Sequence, residues 1–221
     1  NAGFDTRLRR RLTPLLPAAA KTNCKIISNL GSANPGAAGQ AIADLAKTLG
    51  VSGLRIAAVE GDDVMALSDQ VKWMKPLTGR LLGAHAYLGC VPMAEALEAG
   101  ADVVVTGRVA DSALFAAPVR QYLNQDPNAL AGALTVGHLL ECGGQLTGGN
   151  YDPLGGPKSG NPLSAAEFAA IGYPLANVYA DGSADITLPT PSAGIPYTGA
   201  TQAVDLGAYN LTVMTVNRIT L

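Results

Sequence analysis

The chain predicts an α/β fold: a mostly parallel sheet with helices on both faces, in a three-layer, Rossmann-like arrangement. Three observations point there. Short apolar runs alternate with helical patterns through the first 124 of 221 residues, the signature of strand–helix–strand units. The run at 102–106 stops at Gly107 and delivers Arg108 and Asp111 just before another helical pattern. With 48% hydrophobic and 14% charged residues, the chain can bury a substantial core.

Residues 6–20 read as a helix interrupted at Pro14 and Pro17, with Arg7, Arg9, Arg10 and Arg11 on its solvated face. A strand at 25–28 follows. Residues 35–49 place Ile42, Leu45, Ala46 and Leu49 at helical spacing. A second strand, 53–59, ends at Glu60-Gly61-Asp62-Asp63. A third apolar segment, 81–88, leads through Pro92 into a helix at 93–99. The strand at 102–106 and a helix at 112–123 complete a βα core over 1–124, with right-handed crossovers.

Beyond residue 124 the pattern changes. A helix at 129–142 precedes a Gly/Pro/Asn-rich stretch at 143–162, a short helix at 164–171 and a strand near 176–180. Residues 209–221 alternate like an exposed strand. We read 125–221 as a loop-rich extension over the sheet's ligand edge, and 1–221 as a single domain. The chain opens on Asn1 without methionine and ends within an apparent strand, so a fragment lacking its native termini is expected.

Composition narrows the partners. A net charge of −2 without a basic stripe argues against nucleic acid. No apolar run reaches membrane-spanning length and no signal peptide is evident, so neither a membrane partner nor secretion is expected. Cys24, Cys90 and Cys142 are odd in number and widely spaced, which fits a reducing, cytoplasmic compartment better than a disulfide framework. Low charge with high apolar content predicts a homo-oligomer.

Three loops leave the carboxyl ends of predicted strands, where open α/β sheets hold ligands. Asn29 to Gly36 is small and polar; Asn29 and Asn34 can bond a ligand, or an asparagine can simply cap the next helix. It lacks the lysine of a phosphate-binding loop and the Gly-x-Gly-x-x-Gly spacing. Asp62 and Asp63 can meet hydroxyls, a cation or an ammonium, or cap a helix. Arg108, Asp111 and Ser112 bring a guanidinium, a carboxylate and a hydroxyl to a helix start, where the bland alternative is a cap and an ion pair.

A fourth element spans 137–150. His138, Glu141 and Cys142 share one helical face before a Gly-rich turn carrying Gln145. Imidazole, carboxylate and thiol together suit acid–base or nucleophilic work. A core cysteine and a carbonyl-bonded histidine are the structural alternative. The other histidine, His85, ends the third apolar segment within reach of the same crevice. No ligand spacing for a metal is present, although a hydrolase built on Asp62, Asp63 and His138 is a further reading.

The segments IISNLGSANP (26–35), VEGDD (59–63), AYLG (86–89), GADVVVTGRVADSAL (100–114), GHLLECGGQLTGGN (137–150) and GYPLANVYADG (172–182) occur in one order over residues 3–195. Together they resemble the acyclic terpene utilisation (AtuA-like) family, formerly a domain of unknown function. The resemblance implies an enzyme of acyl-CoA intermediates in terpene breakdown, with a lyase role, or a natural-product tailoring enzyme. The chain departs from the family pattern by carrying His85 for asparagine, Asn177 for glutamate and Leu188 for lysine. His85 would then mark a different proton-transfer arrangement.

The expected function is a lyase or hydro-lyase acting on a branched or terpenoid acyl substrate, as free acid or CoA thioester. His138 supported by Glu141 would move the proton, Asp111 would be the complementary acid or base, and Cys142 is a lesser nucleophile candidate. Arg108, Ser112, Asn29, Asn34, Asp62, Asp63, His85 and Gln145 would bind substrate. No cofactor or metal is expected. The alternative is a non-catalytic metabolite-binding or scaffold subunit of an acyl-CoA pathway complex.

Overall fold

A computed structural model describes residues 2–72, 74–75, 78–141, 173–187 and the backbone of 212–214. The central sheet has the order β2-β3-β1-β6. Strands β1 (Lys25–Ser28), β3 (Val103–Thr106) and β2 (Ile56–Val59) run parallel, and β6 (Thr212–Met214) pairs antiparallel with β1. The parallel α/β sheet predicted by the alternating pattern is therefore present.

Neighbouring residues of a strand point to opposite faces, and this one rule builds two cores. Ile26, Val103 and Val105 join one cluster with α1 (Leu8–Thr22) and α2 (Pro35–Thr48). Ile27, Val59 and Val104 join the other with α3 (Val91–Glu98), α4 (Ala113–Ala116) and α5 (Pro127–Glu141). Every residue of β3 is buried, as a strand covered on both sides requires.

Three elements differ from the expectation, and the third apolar segment takes a place of its own. Helix α1 runs unbroken through Pro14 and Pro17. Each proline removes one backbone donor, but Leu8, Leu12, Leu15, Leu16 and Ala19 bury a continuous stripe that outweighs the loss. The helix expected at 112–123 is instead α4 and a 3-10 turn, Arg120–Tyr122, divided at Pro118. The apolar segment 81–88 adds no strand to the sheet and makes only isolated bridges, Asp63 with His85 and Leu88 with Val109. The Asp63–His85 bridge closes a neck: the Val64 N–H donates to the Ala84 carbonyl at 2.9 Å, and the Ala86 N–H to the Asp62 carbonyl at 2.7 Å. Finally, β4 (Leu175–Val178) pairs antiparallel with β5 (Ala184–Thr187), a strand not anticipated in the Gly/Thr-rich region. The hairpin packs on α5, where Gly132 leaves room for the Gly182 carbonyl. The expected helix at 164–171 and the Gly-rich stretch 143–162 lie outside the described residues. No described helix is long and apolar enough to cross a membrane.

Candidate functional site

The carboxyl ends of β1 and β3 open on a cleft of about 430 Å³. Its floor is the loop after β1. Ser28 Oγ accepts from the Leu30 N–H at 3.1 Å, and the Asn34 N–H donates to the Gly31 carbonyl at 2.8 Å. The loop also holds Ser32 at φ 48°, a left-handed conformation that a side chain seldom adopts. Asn29, Leu30, Ser32 and Ala33 face the cleft from this loop. The close approach of the two strand ends needs Gly31, because a Cβ there would lie 2.4 Å from the Thr106 carbonyl oxygen.

The opposite wall follows β3 and carries Gly107 and Arg108, with His85 from the bridged segment. Behind them lies Asp62, only 3% exposed. Its Oδ2 accepts from the Arg108 backbone N–H and pairs with His85 Nδ1, both at 2.9 Å. A carboxylate can only accept, so the bond assigns the proton to Nδ1 and leaves Nε2 as the basic nitrogen. Gly107 makes this arrangement possible: a Cβ would fall 2.5 Å from both Asp62 oxygens. The Arg108 guanidinium lies 5.7 Å from the centre of the Tyr87 ring, a cation–π contact that orients it.

The third wall comes from the start of α1, with Asp5, Arg7 and Arg11. Asp5 accepts from the Arg7 N–H and Nη2 at 2.7 Å and from Nε at 3.0 Å. The Arg7 hydrogen bonds hold the Asp5 carboxyl below its ordinary value, against the opposing effect of burial. Arg11 is 5% exposed. Burial, then the neighbouring Arg7 charge, lower its pKa.

This corrects the expectation that the Arg7–Arg11 cluster sits on a solvated face. Arg9 and Arg10 are exposed, but Arg11 occupies the buried stripe Leu8-Arg11-Leu12-Leu15-Leu16-Ala19. Its spacing of three from Leu8 and four from Leu15 is the signal that could have found it.

Of the residues singled out from sequence, the cleft brings together Asn29, His85 and Arg108, backed by Asp62. Asn34 instead caps α2, its Oδ1 accepting from the Ala37 N–H at 3.0 Å while Nδ2 donates to the Ala2 carbonyl at 3.1 Å. Asp63 Oδ1 accepts from the Met65 N–H at 2.9 Å and points away into its own turn. Asp111 and Ser112 precede α4 and are not among the residues lining the cleft. His138 and Glu141 form a pair 3.6 Å apart at the end of α5, with the imidazole 75% and the carboxylate 11% exposed. They too stand outside the cleft wall, while Gly137 packs α5 against the Ser112 carbonyl. Cys142 and Gln145 lie outside the described residues. Among the described residues no three metal-ligating side chains cluster.

Neither the curated proteins nor the solved structures contain a match to this chain. One family does match, described as acyclic terpene utilisation family protein AtuA, over residues 1–201. That span covers every described residue that lines the cleft, and α5 as well, and the chain belongs to the acyclic terpene utilisation family.

Proposed function

We propose that the cleft binds a branched, terpenoid-type acyl substrate, as acid or thioester, and performs a lyase or hydro-lyase reaction through His85 and Asp62. The observation that carries this reading is the buried Asp62 carboxylate, which fixes the His85 ring and the Arg108 backbone together. In the reaction His85 Nε2 takes the proton from the carbon beside the carbonyl. The negative charge that forms on the carbonyl oxygen meets Arg108 and the Asn29 amide. The enolate pair then forms the new double bond as the group on the next carbon leaves, taking the proton held on His85 Nε2 so that a hydroxyl departs as water. Asp62 keeps the imidazole in one tautomer and stabilises its protonated form. Membership of a terpene-utilisation family supports the branched acyl class.

The test is exchange of the proton beside the carbonyl in heavy water, followed by NMR, with branched acids and their CoA thioesters. His85→Ala is expected to slow exchange by about 10²-fold or more, the usual contribution of a positioned acid or base. His138→Ala, outside the cleft wall, is expected to leave it unchanged. Equal exchange in the wild type and the His85 variant would remove the assignment. Binding without exchange or conversion would make the chain a metabolite-binding subunit.

A further inference from the structure

We infer that the excursion between Val64 and Ala84 docks on an anionic lipid surface, holding the cleft beside a membrane without crossing it. The inference goes beyond the proposed chemistry and does not depend on it. Its first support is exposure. Met74 is fully exposed and Leu82 85% exposed, and Leu67 and Val71 are exposed as well. Four large apolar side chains left in water on one excursion mark a surface that meets a partner. The 3-10 turn Met65–Gln70 within it buries no residue, so Leu67 is not kept there for a local core.

The second support is charge. The excursion carries Lys72, Lys75 and Arg80 against the single acid Asp69, in a chain whose net charge is −2. All three cations are exposed, and none forms an ion pair among the described residues. They alternate with the apolar residues: Lys72 and Lys75 stand on either side of Met74, and Arg80 is two residues before Leu82. That mixture favours lipid over a folded partner, because protein interfaces are depleted of lysine. At a bilayer the apolar groups enter the headgroup boundary, while the lysine stems lie along them and their ammoniums reach phosphate. Anionic headgroups attract each cation in addition. The expectation of no membrane partner came from spanning length, which no described helix reaches; a surface-lying excursion needs none. Its root is fixed: the Val64–Ala84 and Ala86–Asp62 main-chain bonds pin both ends beside the Asp62–His85 pair. Under the proposed function, docking there brings the cleft to where branched acyl chains partition.

The test is co-sedimentation of the full chain with vesicles of phosphatidylcholine alone and of equal parts phosphatidylcholine and phosphatidylglycerol. Emission is followed as well, because Trp73, the chain's single tryptophan, falls between Lys72 and Met74 in sequence. Binding to the anionic vesicles is expected to be about tenfold or more tighter than to the neutral ones, with a blue shift in emission and release at high salt. Lys72→Gln with Lys75→Gln is expected to weaken anionic-vesicle binding by about tenfold, and Met74→Ser with Leu82→Ser to weaken it to a similar degree. All four side chains are exposed, so both variants are expected to keep the wild-type unfolding midpoint and the exchange rate with soluble branched acids. No sedimentation with either vesicle, equal binding to both, or unchanged binding by the two variants overturns the inference. A blue shift without lipid that grows with protein concentration would assign the excursion to a second copy of the chain, and overturns it too. Failure of the proton-transfer reading is distinguishable: His85→Ala would then leave exchange unaltered while vesicle binding persisted.

Discussion

A single oxygen, Oδ2 of Asp62, receives two donors from segments far apart in sequence, the His85 ring and the Arg108 main chain. Its position depends on the absence of a side chain at residue 107. Gly107→Ala would put a methyl 2.5 Å from both carboxylate oxygens, and Asp62 could clear it only by releasing those donors. The variant is expected to lose about 1–3 kcal/mol of stability, the scale of a broken buried hydrogen-bonded site. It should also lose proton exchange to the extent His85→Ala does. Denaturant unfolding and the heavy-water assay check both; a fully stable, fully exchanging variant would refute the dependence. At this scale sequence showed the residue types but not their grouping. Asp62 and Asp63 are adjacent and alike on paper, yet one turns into the protein while the other serves its own turn. Only the fold decides which.

Helix α2 illustrates how one side chain can serve an element and its neighbour. Asn34 caps α2 and also holds the Ala2 carbonyl, so it couples the helix start to the segment that carries Asp5. Asn34→Ala is expected to cost about 1 kcal/mol from the cap alone. Denaturant unfolding measures this, and an Asn34 variant as stable as the wild type would contradict the coupling. The elements with a plain apolar signature were legible from sequence: β1 and β3 as short apolar runs that a sheet covered on both faces requires, and α2 as a stripe of helical period. Helix α1 was misjudged for the converse reason. Proline is a local penalty, whereas five buried apolar side chains act along the whole helix. The β5 strand escaped notice because its alternation, Ala184 and Ile186 inward, spans four residues.

Across the molecule, ionic ties close both ends of the sheet. At the cleft end Asp5 holds Arg7; at the opposite end Asp102 binds Lys25 Nζ at 2.6 Å and the Arg55 N–H at 2.8 Å. Burial alone would raise the Asp102 pKa, but the Arg55 N–H and the Lys25 ammonium outweigh it and the net direction is down. Asp5 is lowered too. A carboxyl with a depressed native pKa contributes stability that is present above its unfolded value and disappears as pH falls through its native one. Stability is therefore expected to decline as pH drops below the ordinary value of 3.8. Asp102→Asn should be less stable at neutral pH and show a shallower acid decline; an unchanged slope in urea unfolding across pH would contradict this. The layered architecture was predictable at this scale, since it needs only alternation and crossovers. The cleft's third wall was not, because it joins residues 5–11 to residues 107–108 through a sheet edge that no local pattern encodes.

The bridged neck at Asp63 and His85 has a practical consequence. The chain between Val64 and Ala84 departs and returns at one point, its ends pinned by main-chain bonds. Lengthening such an excursion adds little entropy to its closure. A fluorescent domain spliced into it would therefore hang from the two residues flanking the Asp62–His85 pair. Under the proposed function, ligand capture beside that pair is expected to change the graft's emission, which makes this excursion a natural place to build a sensor for the cleft's ligand.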